Sequence, residues 1–132
     1  EDTDYLTLSE GQKQLCILAR TIVEDTVLLL LDEPDSALDL HNRYQGMKML
    51  QKLLLDKNKA ALICLHDPAL ALDFCSQLLL LKDGKCTACL RPAIDSLSVM
   101  QEALSDIYGP LSLIRCKDSQ GKERLVLLSE ML

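Results

Sequence analysis

Tryptophan is missing from this 132-residue chain and phenylalanine occurs once, so the aromatic platforms on which single-strand binders stack bases are missing too. No run of Lys or Arg tracks a phosphate backbone: 14 basic residues stand against 20 acidic ones, for a net charge of -6, and we expect no nucleic acid partner. Apolar stretches such as Val27 to Leu31 and Leu78 to Leu81 fall far below the roughly 20 residues a membrane-spanning helix needs. Repeats, low-complexity tracts and linkers are absent. The opening Glu1-Asp2-Thr3-Asp4 has neither an initiating Met nor the basic and apolar regions of a secretory signal. It reads as the middle of something longer, and we expect an excised segment.

What is present is ample apolar material, 48% of residues, enough for one domain or a piece of one. Six cysteines stand at 16, 64, 75, 86, 89 and 116, several inside apolar runs where a free thiol packs as a small hydrophobe, as suits a reducing cytosol. Cys86-Thr87-Ala88-Cys89 has the spacing of a metal or dithiol pair. No second CxxC accompanies it, and on a regular strand side chains three apart point to opposite faces. The expectation is that these two thiols do not share an ion.

Read in order, Ser9 with Gln12 is a capping-box pattern, and Leu15, Leu18, Ala19 and Ile22 follow at helical spacing, predicting a helix from Ser9 to about Val23. Residues 24–26 break it, and Val27 to Leu31 has the length of a buried parallel strand, ending at Asp32 and Glu33 with Pro34 fixing the exit. Asp39 caps a second helix whose Tyr44, Met47, Leu50 and Leu54 mark its inner face, ending near Asp56. Ala60 to Leu65 is again strand-like and His66 follows directly. Asp67-Pro68 opens a helix to about Phe74. Strand, helix, strand, helix at these lengths implies a parallel α/β sheet. Beyond it, Gln77 to Leu81 and Lys85 to Leu90 flank Asp83-Gly84, a hairpin signal expected to add an antiparallel edge. Ser96 to Tyr108 reads as helix, Gly109-Pro110 as its stop, and Leu111 to Cys116 with Arg124 to Leu128 as a closing hairpin.

Three places carry chemistry. Amides at a helix start have no partners within the helix and sit at the positive end of its dipole, so Ser9, Gly11 and Gln12 suit an anion; an ordinary capping box explains the same residues. Two adjacent carboxylates at a strand end are costly to keep ionised without a cation. Mg²⁺ prefers oxygen ligands and keeps several waters, which suits Asp32, while Glu33 polarises an attacking water; a solvated acidic turn is the plainer alternative. His66, at the end of a neighbouring strand, lies where open α/β sheets place ligands and can donate to a γ-phosphate oxygen, or be simply a strand-end residue. His41 belongs on a helix surface. A serine hydrolase is discounted because Ser9 lacks the Gly-x-Ser-x-Gly elbow.

In combination these residues resemble the ATP-binding cassette (ABC) ATPases. Leu8-Ser9-Glu10-Gly11-Gln12 is similar to the signature motif, Leu28 to Glu33 to Walker B with its catalytic glutamate, Ser36 to Asp39 to the D-loop, and His66 to the switch histidine. The resemblance implies a P-loop NTPase fold, of which residues 1–132 are the C-terminal part of one domain, with a parallel sheet, helices and antiparallel C-terminal hairpins. It further implies ATP and Mg²⁺ as ligands, with Asp32 on the metal. Glu33 and His66 are then catalytic, and Leu8, Ser9, Glu10, Gly11, Gln12 and Asp39 touch nucleotide. A second ABC ATPase domain packed head-to-tail, transmembrane permease subunits, and a cytoplasmic position on the inner face of the membrane follow from the same likeness. Leu81 to Lys85 and Leu104 to Gly109 are similar to importer ATPases for iron-siderophore, haem and cobalamin complexes.

Departures from the pattern are Glu10 in place of the first signature glycine, which must point away from nucleotide, and Asp35 in place of Thr or Ser. Gly-x-x-x-x-Gly-Lys-[Ser/Thr], an adenine-stacking loop and a glutamine loop are absent. In the family's sheet order the strand bearing that phosphate loop lies beside the strand ending at His66, so without it Ala60 to Leu65 keeps an unpaired edge and an uncovered apolar face. The segment alone is therefore expected to be inactive. The alternatives are a non-transport ABC ATPase, or a half-domain without enzymatic activity that binds or regulates a complete ATPase.

Overall fold

The computed structural model describes residues 4–24 and 26–130; the acidic opening at residues 1–3 and Asp25 in the first helix break lie outside the described residues. Its elements are a short 3-10 turn at Tyr5–Thr7, then α1 (Glu10–Val23), β1 (Leu28–Asp32), α2 (Leu40–Asp56), β2 (Ala60–Cys64), α3 (Pro68–Phe74), β3 (Leu78–Lys82), β4 (Lys85–Leu90), α4 (Leu97–Tyr108), β5 (Leu111–Lys117) and β6 (Glu123–Ser129). The chain divides into two compact units, Glu1–His66 and Asp67–Leu132.

In the first unit β1 and β2 pair in parallel, with Leu28 opposite Ala60, Leu30 opposite Leu62 and Asp32 opposite Cys64. Parallel neighbours need a crossover, and α2 supplies it. Among the described residues Leu18, Leu29, Leu38, Met47 and Leu50 are buried hydrophobic side chains of this unit. Side chains alternate along a strand, so Leu29 faces this core while its neighbours face away. That second face is open: Leu28, Leu30 and Leu62 are 52%, 70% and 55% exposed. Covering these three would be worth roughly 3–5 kcal/mol at the usual value for a leucine, a large share of the about 5–15 kcal/mol that holds a domain folded.

In the second unit β3 and β4 form an antiparallel hairpin whose turn residues Asp83 and Gly84 both have positive φ, the geometry that Asp-Gly favours between twisted strands. β5 and β6 pair antiparallel from Leu111 opposite Ser129 to Lys117 opposite Glu123. Ser96 caps α4, accepting from Val99 N, and Gly109 stops it at φ 83°. Leu72, Leu78, Leu80, Leu90, Met100, Leu104, Leu111 and Leu113 make one buried cluster.

Two sequence expectations change. Five of the six cysteines are exposed and only Cys75 is half-buried, because the apolar runs holding Cys64 and Cys89 present those positions on an outward face; burial pushes the Cys75 thiol up. Finally, β4 is not regular. Its register shifts between Leu80 and Leu81, so that Ala88 faces Leu80 and Cys86 faces Leu81, with Thr87 as the extra residue.

Candidate functional site

Three sequence-predicted site residues sit where β1 and β2 end. Asp32, the last residue of β1, pairs in register with Cys64, the last of β2, and is exposed. Glu33 leaves the strand with φ 45°. A non-glycine residue there is uncommon and strained by roughly 1–2 kcal/mol. Its backbone is pinned on both sides: Glu33 N donates to Cys64 O at 3.1 Å, and Ser36 N donates to Glu33 O at 3.1 Å. Strain held by such bonds clusters at functional positions. It turns the Glu33 side chain onto His66, whose Nε2 lies 2.6 Å from Glu33 Oε1. With the carboxylate oxygen as acceptor, Nε2 is the ring nitrogen that donates in this bond. His66 is largely exposed and Glu33 about half, leaving the pair open to a ligand.

The turn after Glu33 is tied to α2 by a pair that the sequence did not reveal. Asp35 is 6% exposed, and its Oδ2 lies 3.3 Å from Arg43 Nε. A buried carboxylate needs a charge partner, and an acidic residue between Pro34 and Leu38, both buried, was the available signal. Leu38 N donates to Asp35 O, which closes the turn toward Asp39. Asp39 then caps α2: its carboxylate accepts from Asn42 N and from Asn42 Nδ2, each at 2.9 Å. These bonds, the backbone amide of Asn42 foremost, hold the Asp39 carboxyl below its ordinary range.

At the start of α1, Ser9 Oγ accepts from Gln12 N at 3.2 Å and Gln12 Oε1 accepts from Ser9 N at 3.0 Å, a complete capping box. Glu10 is turned along the helix to Lys13, whose Nζ is 2.8 Å away; this bond raises the Lys13 pKa. Gly11 explains how α1 meets the turn of residues 36–39. A Cβ there would stand 3.2 Å from Ala37 O and 3.4 Å from Leu38 Cδ2, a tight contact that glycine relieves. Leu8, half-buried, precedes the cap. Glu33 and His66 are thus brought together, and Gly11 is brought to the turn before Asp39. The side chains of Ser9 and Gln12 are instead each engaged with the other residue's backbone amide. His41 is exposed on α2, as expected.

Hemin import ATP-binding protein HmuV of Pseudomonas putida is 32% identical over 127 residues, 92% of this chain and 48% of that protein. A solved structure of a putative metal-chelate type ABC transporter in an inward-facing conformation superposes with a TM-score of 0.79 at 26% identity, over 96% of this chain and 50% of that one. The chain belongs to the ABC transporter ATP-binding proteins. Its fold is accordingly a partial ABC ATPase fold, α/β with a parallel pair and antiparallel hairpins. Other ABC relatives include a probable iron chelatin transport ATP-binding protein of Helicobacter pylori, 40% identical over 64% of this chain and 33% of its own length. Cobalamin import ATP-binding protein BtuD of Halobacterium salinarum is 32% identical over 62% of this chain and 21% of its own. No family model matches. The chain spans about half the length or less of these ABC relatives. Among the described residues no helix is long and apolar enough to cross a membrane.

Proposed function

We propose that residues 1–132 are the C-terminal part of one ABC ATPase domain, in a subunit that hydrolyses ATP to power a membrane importer for iron-siderophore, haem or cobalamin complexes. The Glu33–His66 pair carries this reading: a strained, pinned glutamate at the end of one parallel strand meets a histidine at the end of its neighbour. Glu33 takes the proton of the attacking water, and the His66 Nε2–H that holds its carboxylate in one orientation turns to a terminal phosphate oxygen when nucleotide is bound.

Asp32 fits Mg²⁺, being an exposed carboxylate beside the reacting pair. Such an ion takes one or two carboxylates and fills its shell with water and phosphate oxygens. When bound, Mg²⁺ neutralises charge on the phosphates. Ser9, Gly11 and Gln12 present the positive end of α1, with the Gly11 amide outside the capping box, to the nucleotide of a second ABC ATPase domain packed head-to-tail, with Leu8, Glu10 and Asp39 flanking that contact. Lys13 removes the objection to Glu10 by drawing its carboxylate along the helix.

The open face of β1–β2 supports a further requirement: the phosphate-binding part of the cassette covers Leu28, Leu30 and Leu62, and the segment alone does not turn over ATP. The names of the relatives support transmembrane permease partners and a cytoplasmic position on the inner face of the membrane. In the complete protein, Glu33→Gln should retain ATP binding and lose turnover. Hydrolysis at the parental rate would remove Glu33 from its role and the reading with it.

A further inference from the structure

We infer that Cys86 and Cys89 form a dithiol site for a thiophilic monovalent metal ion, Cu(I), on the outer face of the β3–β4 hairpin. On a regular strand the two would face opposite sides. The bulge changes this, because residues directly opposite each other across a ladder share a face. Cys89 stands opposite Leu79 and Cys86 opposite Leu81, with the shift falling between them. Leu79 and Leu81 lie two apart on a regular strand, and both point outward at 54% and 67% exposure. Both cysteines therefore share that outer face, and both are exposed free thiols. The hydroxyl of Thr87, the extra residue, donates to Leu80 O at 3.3 Å, which holds the bulge in place.

The Cys86 thiol also leans the right way. Its Sγ donates to Ala88 O at 3.5 Å, the carbonyl of the peptide that leads into Cys89. Covalent geometry then sets the Cys86 sulfur no more than about 6 Å from Cys89 Cα. An ion between two thiolates needs sulfurs roughly 4.6 Å apart, twice a metal–sulfur bond of about 2.3 Å, which a χ1 rotation at each cysteine reaches. Two sulfurs with no third ligand suit a soft, low-coordinate ion rather than tetrahedral zinc. Among the described residues no larger group of metal-binding side chains is present. On binding, each thiol releases its proton to solvent and both sulfurs donate to the ion.

The test uses the full chain, reduced and under anaerobic conditions, titrated with Cu(I) against a chromophoric copper chelator. One equivalent should bind tightly, and C86S and C89S should each weaken it at least 100-fold. Phenylarsine oxide maps the pair without a substitution: one equivalent adds across two thiols with loss of one water. Trypsin should place this adduct on the fragment of residues 86–115, where Cys86 and Cys89 are the only thiols. Tight Cu(I) binding unchanged in both variants, or an arsenical bridge that leaves this fragment unmodified, would overturn the assignment.

Discussion

Replacing Asp35 with alanine removes one partner of a nearly buried ion pair and leaves the other behind. Asp35 is 6% exposed, the Arg43 side chain is 27% exposed, and their charged atoms are 3.3 Å apart. Breaking a fully buried pair costs about 3–5 kcal/mol, because a desolvated charge loses its compensation. Arg43 retains some water, so the expected loss for Asp35→Ala is about 2–4 kcal/mol. Arg43→Ala should cost at least as much, since it strands the more deeply buried carboxylate. The double substitution removes both charges, so the two effects should fall short of additivity by at least about 1 kcal/mol. Urea unfolding of the complete protein measures this as a shift in midpoint at constant slope. A loss below about 0.5 kcal/mol for Asp35→Ala, or strictly additive single effects, would show that the turn between Glu33 and Asp39 is not held by this pair.

Ser9→Ala should cost about 1 kcal/mol through loss of the capping box, seen as a lower Tm, while Ser9→Asn should restore most of it. Gly11→Ala gains up to about 1 kcal/mol in helix propensity but drives a methyl against Ala37 O, and overpacking of this kind costs about 1–3 kcal/mol. A net lower Tm is expected, and a higher one would mean that the turn yields. The lowered pKa of Asp39 has a definite sign: its charged form stabilises the fold above the ordinary carboxyl value, and that contribution is lost as pH falls through the lower folded value. Tm measured between about pH 5.5 and 3 should therefore fall more for the parent than for Asp39→Asn, which keeps a capping side chain without the titration; parallel curves would contradict this.

Most elements were legible because local signals agreed with tertiary demands. Ser9, Asp39, Asp67 and Ser96 each cap the helix that the pattern opens at that residue, and Asp83-Gly84 makes the expected turn. Their neighbours in sequence decide these features, so sequence is enough to find them. Long-range and sub-strand features were not legible. The Asp35–Arg43 pair joins residues whose proximity depends on how α2 returns from the turn. The bulge at Thr87 depends on how two strands align, which alternation alone does not specify. The left-handed backbone of Glu33 likewise follows from its bonds to Cys64 and Ser36, not from any preference of glutamate. At the site, the order of Asp32, Glu33 and His66 was readable, whereas the direct bond between Glu33 and His66 needed the parallel register of β1 and β2.

The most direct test of the account is the ATPase rate of the complete protein as Glu33→Gln, His66→Ala and the double variant. If Glu33 takes the proton and His66 acts largely by orienting it, each single change should lower kcat at least about 100-fold, and the double variant should fall only a few-fold below Glu33→Gln. Rates near the parent for either single variant, or fully multiplicative losses in the double, would contradict a shared catalytic role for the two residues.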